Sequence, residues 1–219
     1  MVYDSRKEYS DSAIAFDGLR ISTRESVYVP HEDSFLLAQA TRLHAKGRVL
    51  DLGCGTGIVG LAASQNPAVS EVVFADVNPD ALELAKKNAS ENGVKKKHSF
   101  VQTDLFSTLA GQRFDTICFN PPYLPTAKEE VLNGYENAAY DGGPYGRRVL
   151  DAFLQQFKAF LAPNGILLLL NSSVSAEDGQ SGNEQTRKWL EKDDFTVEEI
   201  GKQAFFFEQL VAFKADITT

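Results

Sequence analysis

Cysteine is scarce in this sequence: Cys54 and Cys118 are the only two among 219 residues. Each lies inside an apolar or glycine-rich segment, so a disulfide framework is excluded and the pattern predicts reduced thiols in a cytoplasmic protein. Histidine is nearly as rare. His31, His44 and His98 have no companions at CxxC, HxxxH or HExxH spacing, so no metal site is expected. The longest apolar run, 166–170, has a strand's length and falls far short of a membrane span. The opening MVYDSRKEYSDS contains none of the apolar stretch that a secretion signal needs, which argues against export. Positive charge is in deficit: 22 Lys and Arg face 30 Asp and Glu, a net −8. That balance argues against a domain that holds nucleic acid mainly by neutralising phosphates. The one basic cluster, Lys95-Lys96-Lys97, reads as a solvated loop between a helix and a strand.

What is present fits a globular α/β protein. Hydrophobic residues make up 43% and charged residues 24%, and a chain of this length can bury one continuous core. A single domain over 1–219 is expected, with 1–26 as an N-terminal extension. From Arg48 onward, short β-rich runs alternate with helical patterns, the signature of a mainly parallel sheet. Strands are predicted at 48–52, 71–76, 99–102, 114–119 and 165–171. Helices are predicted near 58–64, from Asn78-Pro79 to Asn92-Gly93, at 147–161 and at 185–191. The tail reads as two strands, 195–200 and 204–213, turning at Gly201-Lys202, which would put an antiparallel strand in the sheet.

Three features at successive strand ends point to a nucleoside ligand. DLGCGTG, residues 51–57, leaves a strand and opens a helix, where a glycine-rich turn lets backbone approach a ligand closely. Gly53, Gly55 and Gly57 approximate a dinucleotide fingerprint, but its final glycine is replaced by Ile58, which counts against a dinucleotide. Asp76 ends the next strand, where a carboxylate can accept both ribose hydroxyls. Asp104 follows the third strand, with Leu105 and Phe106 offering apolar faces to an adenine ring.

The sharpest signal is Phe119-Asn120-Pro121-Pro122-Tyr123. Two prolines straight after a strand fix the backbone and remove its donors, leaving carbonyls free to accept. A planar NH2 group offers two N–H donors. The Asn120 side-chain oxygen and the Pro121 carbonyl can hold both while Tyr123 packs on the flat face. No dedicated general base is visible, so the chemistry expected is orientation of a weak nitrogen nucleophile.

These motifs resemble the Rossmann-like methyltransferases that use S-adenosyl-L-methionine (SAM). The resemblance implies a seven-stranded sheet of order 3-2-1-4-5-7-6 with the last strand antiparallel. It also implies Asp51, Gly53 and Gly55 toward the methionine end of SAM, Asp76 at the ribose, and Asp104 with Leu105 at the adenine. The Asn120-Pro121-Pro122-Tyr123 motif is similar to that of enzymes methylating exocyclic base amines or glutamine amides. The stretch 27–37 (VYVPHEDSFLL) and the stretch 140–147 (YDGGPYGR) resemble the short HemK-type glutamine methyltransferases of archaea and eukaryotes. Those modify the GGQ glutamine of class I translation release factors, and in them the residue matching Ser34 contacts the cofactor. Bacterial members carry a further N-terminal helical domain, whereas about 25 residues precede Val27 here. The resemblance also implies a small zinc-binding activator protein over the third strand, near 99–102. Methylation of a base amine in DNA or RNA, and a SAM-binding scaffold without catalysis, are the competing readings. The segment 124–146 holds Tyr135, Tyr140 and Tyr145 with Glu129, Glu130, Glu136 and Asp141 against Lys128. This charge pattern favours a basic protein surface over phosphates.

Overall fold

The computed structural model describes residues 12–126, 141–177 and 180–218. It opens with a hairpin, β1 (Ala13–Phe16) and β2 (Leu19–Ser22), paired antiparallel outside the main sheet. Asp17 and Gly18 turn it with φ of 50° and 83°, the left-handed pair that matches strand twist in a two-residue turn. Helix α1 (Glu32–His44) follows, with Glu32 and Asp33 in its positive first turn. Neither element was expected from the sequence, where 1–26 read as an extension and 27–37 as a motif.

The main sheet has seven strands. These are β3 (Gly47–Leu52), β4 (Val69–Asp76), β5 (Lys97–Gln102), β6 (Phe114–Phe119), β7 (Leu161–Ser172), β8 (Phe195–Ala204) and β9 (Gln209–Ile217). Their order is β5-β4-β3-β6-β7-β9-β8, which is 3-2-1-4-5-7-6 counted within the sheet, as expected. Strands β3 to β7 are parallel, and β9 runs antiparallel to both β7 and β8. The further α-helices among the described residues are α2 (Ile58–Gln65), α3 (Pro79–Glu91), α4 (Arg148–Leu154) and α5 (Gly182–Lys192). Strand alternation sends Val49, Val72, Phe74 and Leu168 to one face with α1 and α2. Leu50, Val73, Ile117 and Leu167 go to the other face with α4. Both faces are covered, as a parallel sheet requires.

Three expectations are corrected. The helix predicted over 147–161 stops at Leu154 and gives way to a 3₁₀ turn, Phe157–Phe160, because the chain must deliver Leu161 into β7 beside Phe114. The tighter turn stacks Phe157 on Phe153 and Phe160 on Phe106, at 5.2 and 4.3 Å between ring centres. Pro163-Asn164-Gly165 does not precede β7 but lies inside it, absorbed by a register shift with Asn164 at φ 61°. The terminal hairpin does not turn at Gly201-Lys202. Gly201 sits within β8 at a register shift, pressed so closely on α1 that a Cβ there would meet Leu36 at 2.8 Å. The turn is Phe205 to Glu208, closed by the Phe205 N–H donating to the Glu208 carbonyl at 2.7 Å. Among the described residues no helix is long and apolar enough to cross a membrane.

Candidate active site

In an open parallel sheet the crevice forms where strand order reverses, outside the carboxyl ends of the strands. Here that point lies at β3, flanked by β4 and β6. A cavity of about 460 Å³ opens there. It is lined by Ser34, Asp51, Gly53, Gly55, Asp76, Asp104, Leu105, Asn120, Pro121, Pro122 and Tyr123. Phe106, expected with Leu105 to face an adenine ring, is instead buried in the core against Phe153 and Phe160, because those rings fill the space beneath the sheet edge.

The glycine-rich turn is built for close approach. Gly57 caps α2 at φ 83°, and a Cβ there would meet Ala85 of α3 at 3.1 Å, so helix and turn pack only without a side chain. Asp51 and Asp76 hold the turn from opposite sides. Asp51 Oδ2 accepts from the Gly60 N–H at 2.8 Å, and Asp76 accepts from Gly55 and Asn78, each at 2.9 Å. Burial pushes the Asp51 carboxyl up to about 7, opposed by the Gly60 hydrogen bond and reinforced by the charge of Asp76. Asp76 is also pushed up, mainly by burial. Two buried carboxylates on one wall create a demand for positive charge and hydroxyl donors. An α-ammonium beside Asp51 and a ribose beside Asp76 would meet it, so these residues fit SAM. Beyond β5, Leu105 is held at φ 46°, a region that branched side chains seldom enter, with the Thr103 hydroxyl donating to its carbonyl at 3.1 Å. That turn sets Asp104 and Leu105 on the cavity wall.

The Asn120 side of the cavity centres on a residue the sequence reading passed over. Asp33, in the first turn of α1, is 3% exposed. Its Oδ2 accepts from Asn120 Nδ2 at 2.9 Å and from the Tyr28 hydroxyl at 2.9 Å, with the Tyr123 hydroxyl at 3.4 Å. Its Oδ1 accepts from the Ser34 N–H at 2.6 Å and from the Ser34 hydroxyl at 3.2 Å. With both Asp33 oxygens accepting, the carboxylate dictates which end of the Asn120 amide faces it. The amine turns to Asp33. Asn120 Oδ1 is left buried with no hydrogen-bond partner among the described residues. Tyr123 stays a phenol, since burial and the nearby charges of Asp33 and Glu208 push it far up. Glu208, also absent from the sequence reading, lines the cavity and accepts from the Ser172 hydroxyl at 2.6 Å.

The second motif meets the first. A Cβ on Gly146, at φ 70°, would collide with the Tyr123 carbonyl, so this glycine lets 141–147 lie against the prolines' strand exit. Asp141 pairs with Arg148 at 2.7 Å and accepts from the Gly143 N–H at 2.8 Å, while Gly142 donates to the Leu124 carbonyl at 3.1 Å. Lys128, Glu129, Glu130, Tyr135, Glu136 and Tyr140 lie outside the described residues.

The profile of the methyltransferase small domain matches residues 23–135. A Methanocaldococcus jannaschii protein, provisionally named protein N5-glutamine methyltransferase, is 37% identical over 202 residues, covering 92% of this chain and 98% of that protein. The chain belongs to the methyltransferase small domain family. It is an enzyme of that family, with SAM as methyl donor. The release factor glutamine methyltransferase of Agrobacterium fabrum is 32% identical over 177 residues, covering 75% of this chain and 58% of that protein. The chain therefore spans little more than half the length of that relative. Among solved structures, the E. cuniculi Mtq2-Trm112 complex, described as responsible for methylation of the eRF1 translation termination factor, superposes with a TM-score of 0.66. It is 23% identical and covers 88% of this chain and 99% of that one. Trm5b from Pyrococcus abyssi superposes as well, at a TM-score of 0.67 with 16% identity, covering 97% of this chain and 57% of that one. Both establish the shared fold.

Proposed function

We propose that this methyltransferase acts on a glutamine side-chain amide of a protein, the GGQ glutamine of a class I translation release factor. The observation that carries the reading is Asn120 Oδ1, the one buried side-chain acceptor without a hydrogen-bond partner among the described residues, on a side chain that lines the cavity and whose amine is held by Asp33. A primary amide presents two coplanar N–H donors. One fits Asn120 Oδ1, the second the Pro121 carbonyl, and Tyr123 covers the amide face. Bound SAM supplies an electrophilic methyl group. The residues of this chain orient the nitrogen and draw charge from its protons, the positional part of catalysis, for which effective molarities reach about 10⁵ M or more. On this reading Ser34, Asp51, Gly53, Gly55, Asp76, Asp104 and Leu105 hold the donor. The domain works as one unit over 1–219, in the cytoplasm.

Two things support a protein acceptor over a base amine. The relative that covers 92% of this chain carries the name of a glutamine methyltransferase, and a net charge of −8 disfavours phosphate-rich partners. The partner expected besides the substrate is a small zinc-binding activator on β5. That strand is hydrogen-bonded to β4 on one side and ends the sheet on the other, an edge that a partner strand can cover. Labelled methyl transfer from SAM, offered release factor and nucleic acid in parallel, tests the proposal. Label is expected in the release factor, at the glutamine. Label in nucleic acid alone would overturn it.

A pH prediction follows from Asp51. Its folded value, about 7, lies above the ordinary 3.8, so between those values the folded protein keeps a proton that the unfolded chain has released. This contribution to stability is full below pH 3.8 and is lost as pH rises toward 7. A ligand ammonium prefers the ionised carboxylate. SAM affinity is therefore expected to fall by up to about tenfold per pH unit below that value. The SAM-induced rise in Tm should be larger at pH 7.5 than at pH 5.5, and Asp51→Asn should flatten the difference. Equal pH profiles for parent and variant, measured by calorimetry, would remove Asp51 from the ammonium site.

A further inference from the structure

The terminal hairpin ends in three phenylalanines that the fold leaves in solvent. Phe206 and Phe207 are 90% and 85% exposed, and Phe205 is 43% exposed. The two outer rings touch only edge to face, 4.4 Å apart at 89°. A two-residue aromatic tip held out from a tight turn gives the fold no burial, so its apolar area is available to a partner.

Its position is set by topology. Strand β8 runs parallel to β7, because β9 is antiparallel to both. The tip therefore sits at the carboxyl edge of the sheet, the edge on which the cavity opens. Glu208 follows the tip directly, lines the cavity, and lies close enough to Tyr123 to push its hydroxyl upward. By strand spacing the tip stands roughly 10–15 Å from the end of β6, within three or four residues of extended chain. Strand β5 ends the opposite side of the sheet, so a partner seated there does not cover the tip.

We propose that Phe206 and Phe207 form a docking ridge for the protein that presents the acceptor amide, gripping an apolar patch beside its glutamine-bearing loop. The inference rests on the protein-acceptor reading above and adds to it the surface that selects the protein. Continuity with the cavity mouth fixes the occupant: a substrate whose amide reaches Asn120 has its flank over the ends of β7 and β9. A nucleic acid would want cations there, and the turn from Phe205 to Glu208 carries none, only the carboxylate of Glu208.

Steady-state methylation of a class I release factor by the parent, by F206S/F207S and by F206L/F207L tests this. These rings touch each other and are otherwise in solvent, so both variants should keep the parental Tm and SAM dissociation constant. For the serine pair, KM for the release factor should rise about tenfold or more with kcat unchanged, and the leucine pair should recover most of the loss. An unchanged KM in the serine pair overturns the inference, as does a fall in kcat with KM unchanged. Conversion of a parental dimer to monomer in the serine pair, by sedimentation, overturns it in favour of a second copy of this chain. If the parent transfers no methyl to the release factor, the protein-acceptor reading fails and the inference fails with it. Transfer by the parent with an unaffected serine pair sinks the inference alone.

Discussion

Asn120→Ala should lower kcat by about 10²-fold or more while leaving the SAM dissociation constant within a few-fold. The expectation follows from what each end of the amide touches. Its amine is bound to Asp33 at 2.9 Å, and its oxygen has no partner among the described residues. A buried acceptor left unpaired costs about 1–3 kcal/mol, a cost that a donor on a bound ligand would remove. Truncation removes that acceptor and empties the place where the nucleophile is aligned, so the loss falls on the chemical step. Asn120→Asp is the sharper companion. It keeps the shape but sets a second carboxylate against Asp33, and it should be at least as impaired. Single-turnover kinetics alongside calorimetry separate the two steps. Parental kcat in the alanine variant, or loss of SAM binding with residual turnover intact, would remove Asn120 from the acceptor site.

The parts of this molecule that were legible in the sequence are those whose signals are local. The run from 48 to 57, the Asn78-Pro79 helix start and the prolines after β6 each state their structure within a few residues, and all lie where expected. The β1–β2 hairpin was legible too, since Ile14 and Phe16 alternate against Leu19 and Ile21 about Asp17-Gly18, a strong two-residue turn signal. It went unread because 1–26 was expected to be an N-terminal extension. Gly201 was misread because a glycine between β-rich runs marks a turn or a bulge equally well, and only contact with Leu36 of α1 decides between them. Glu208 and Asp33 belong to the site through pairings that no local pattern encodes. Asp33 and Asn120 stand 87 positions apart. Their contact exists because α1 runs along one face of the sheet, from its first turn at the end of β6 back to Thr41 beside Cys118.

Asp33→Asn is the second large effect expected, and it tests whether a carboxylate, rather than any polar group, is needed at this position. Both of its oxygens accept. Oδ1 takes the Ser34 N–H and hydroxyl, and Oδ2 takes Asn120 Nδ2 and the Tyr28 hydroxyl. An asparagine of the same shape has one oxygen and one NH2, so it satisfies one side and sets a donor against donors on the other. If its oxygen stays with Ser34, its amine faces the Asn120 amine, and Asn120 turns over to offer its own oxygen. The acceptor that should meet the substrate is then consumed. If its oxygen stays with Asn120, the Ser34 N–H is opposed at 2.6 Å and the first turn of α1 loosens. Asp33 is in this account a positioning residue, acting through Asn120. The variant should lose about 10- to 10²-fold in kcat, with KM for the acceptor and the SAM dissociation constant changed only a few-fold. Tyr28→Phe should cost far less, because it removes one donor and leaves the carboxylate to orient Asn120. A merely structural Asp33 would move Tm without splitting kcat from KM, so kinetics and melting are to be measured on the same samples. Parental kcat in Asp33→Asn, whatever its Tm, would show that Asn120 is oriented by something else.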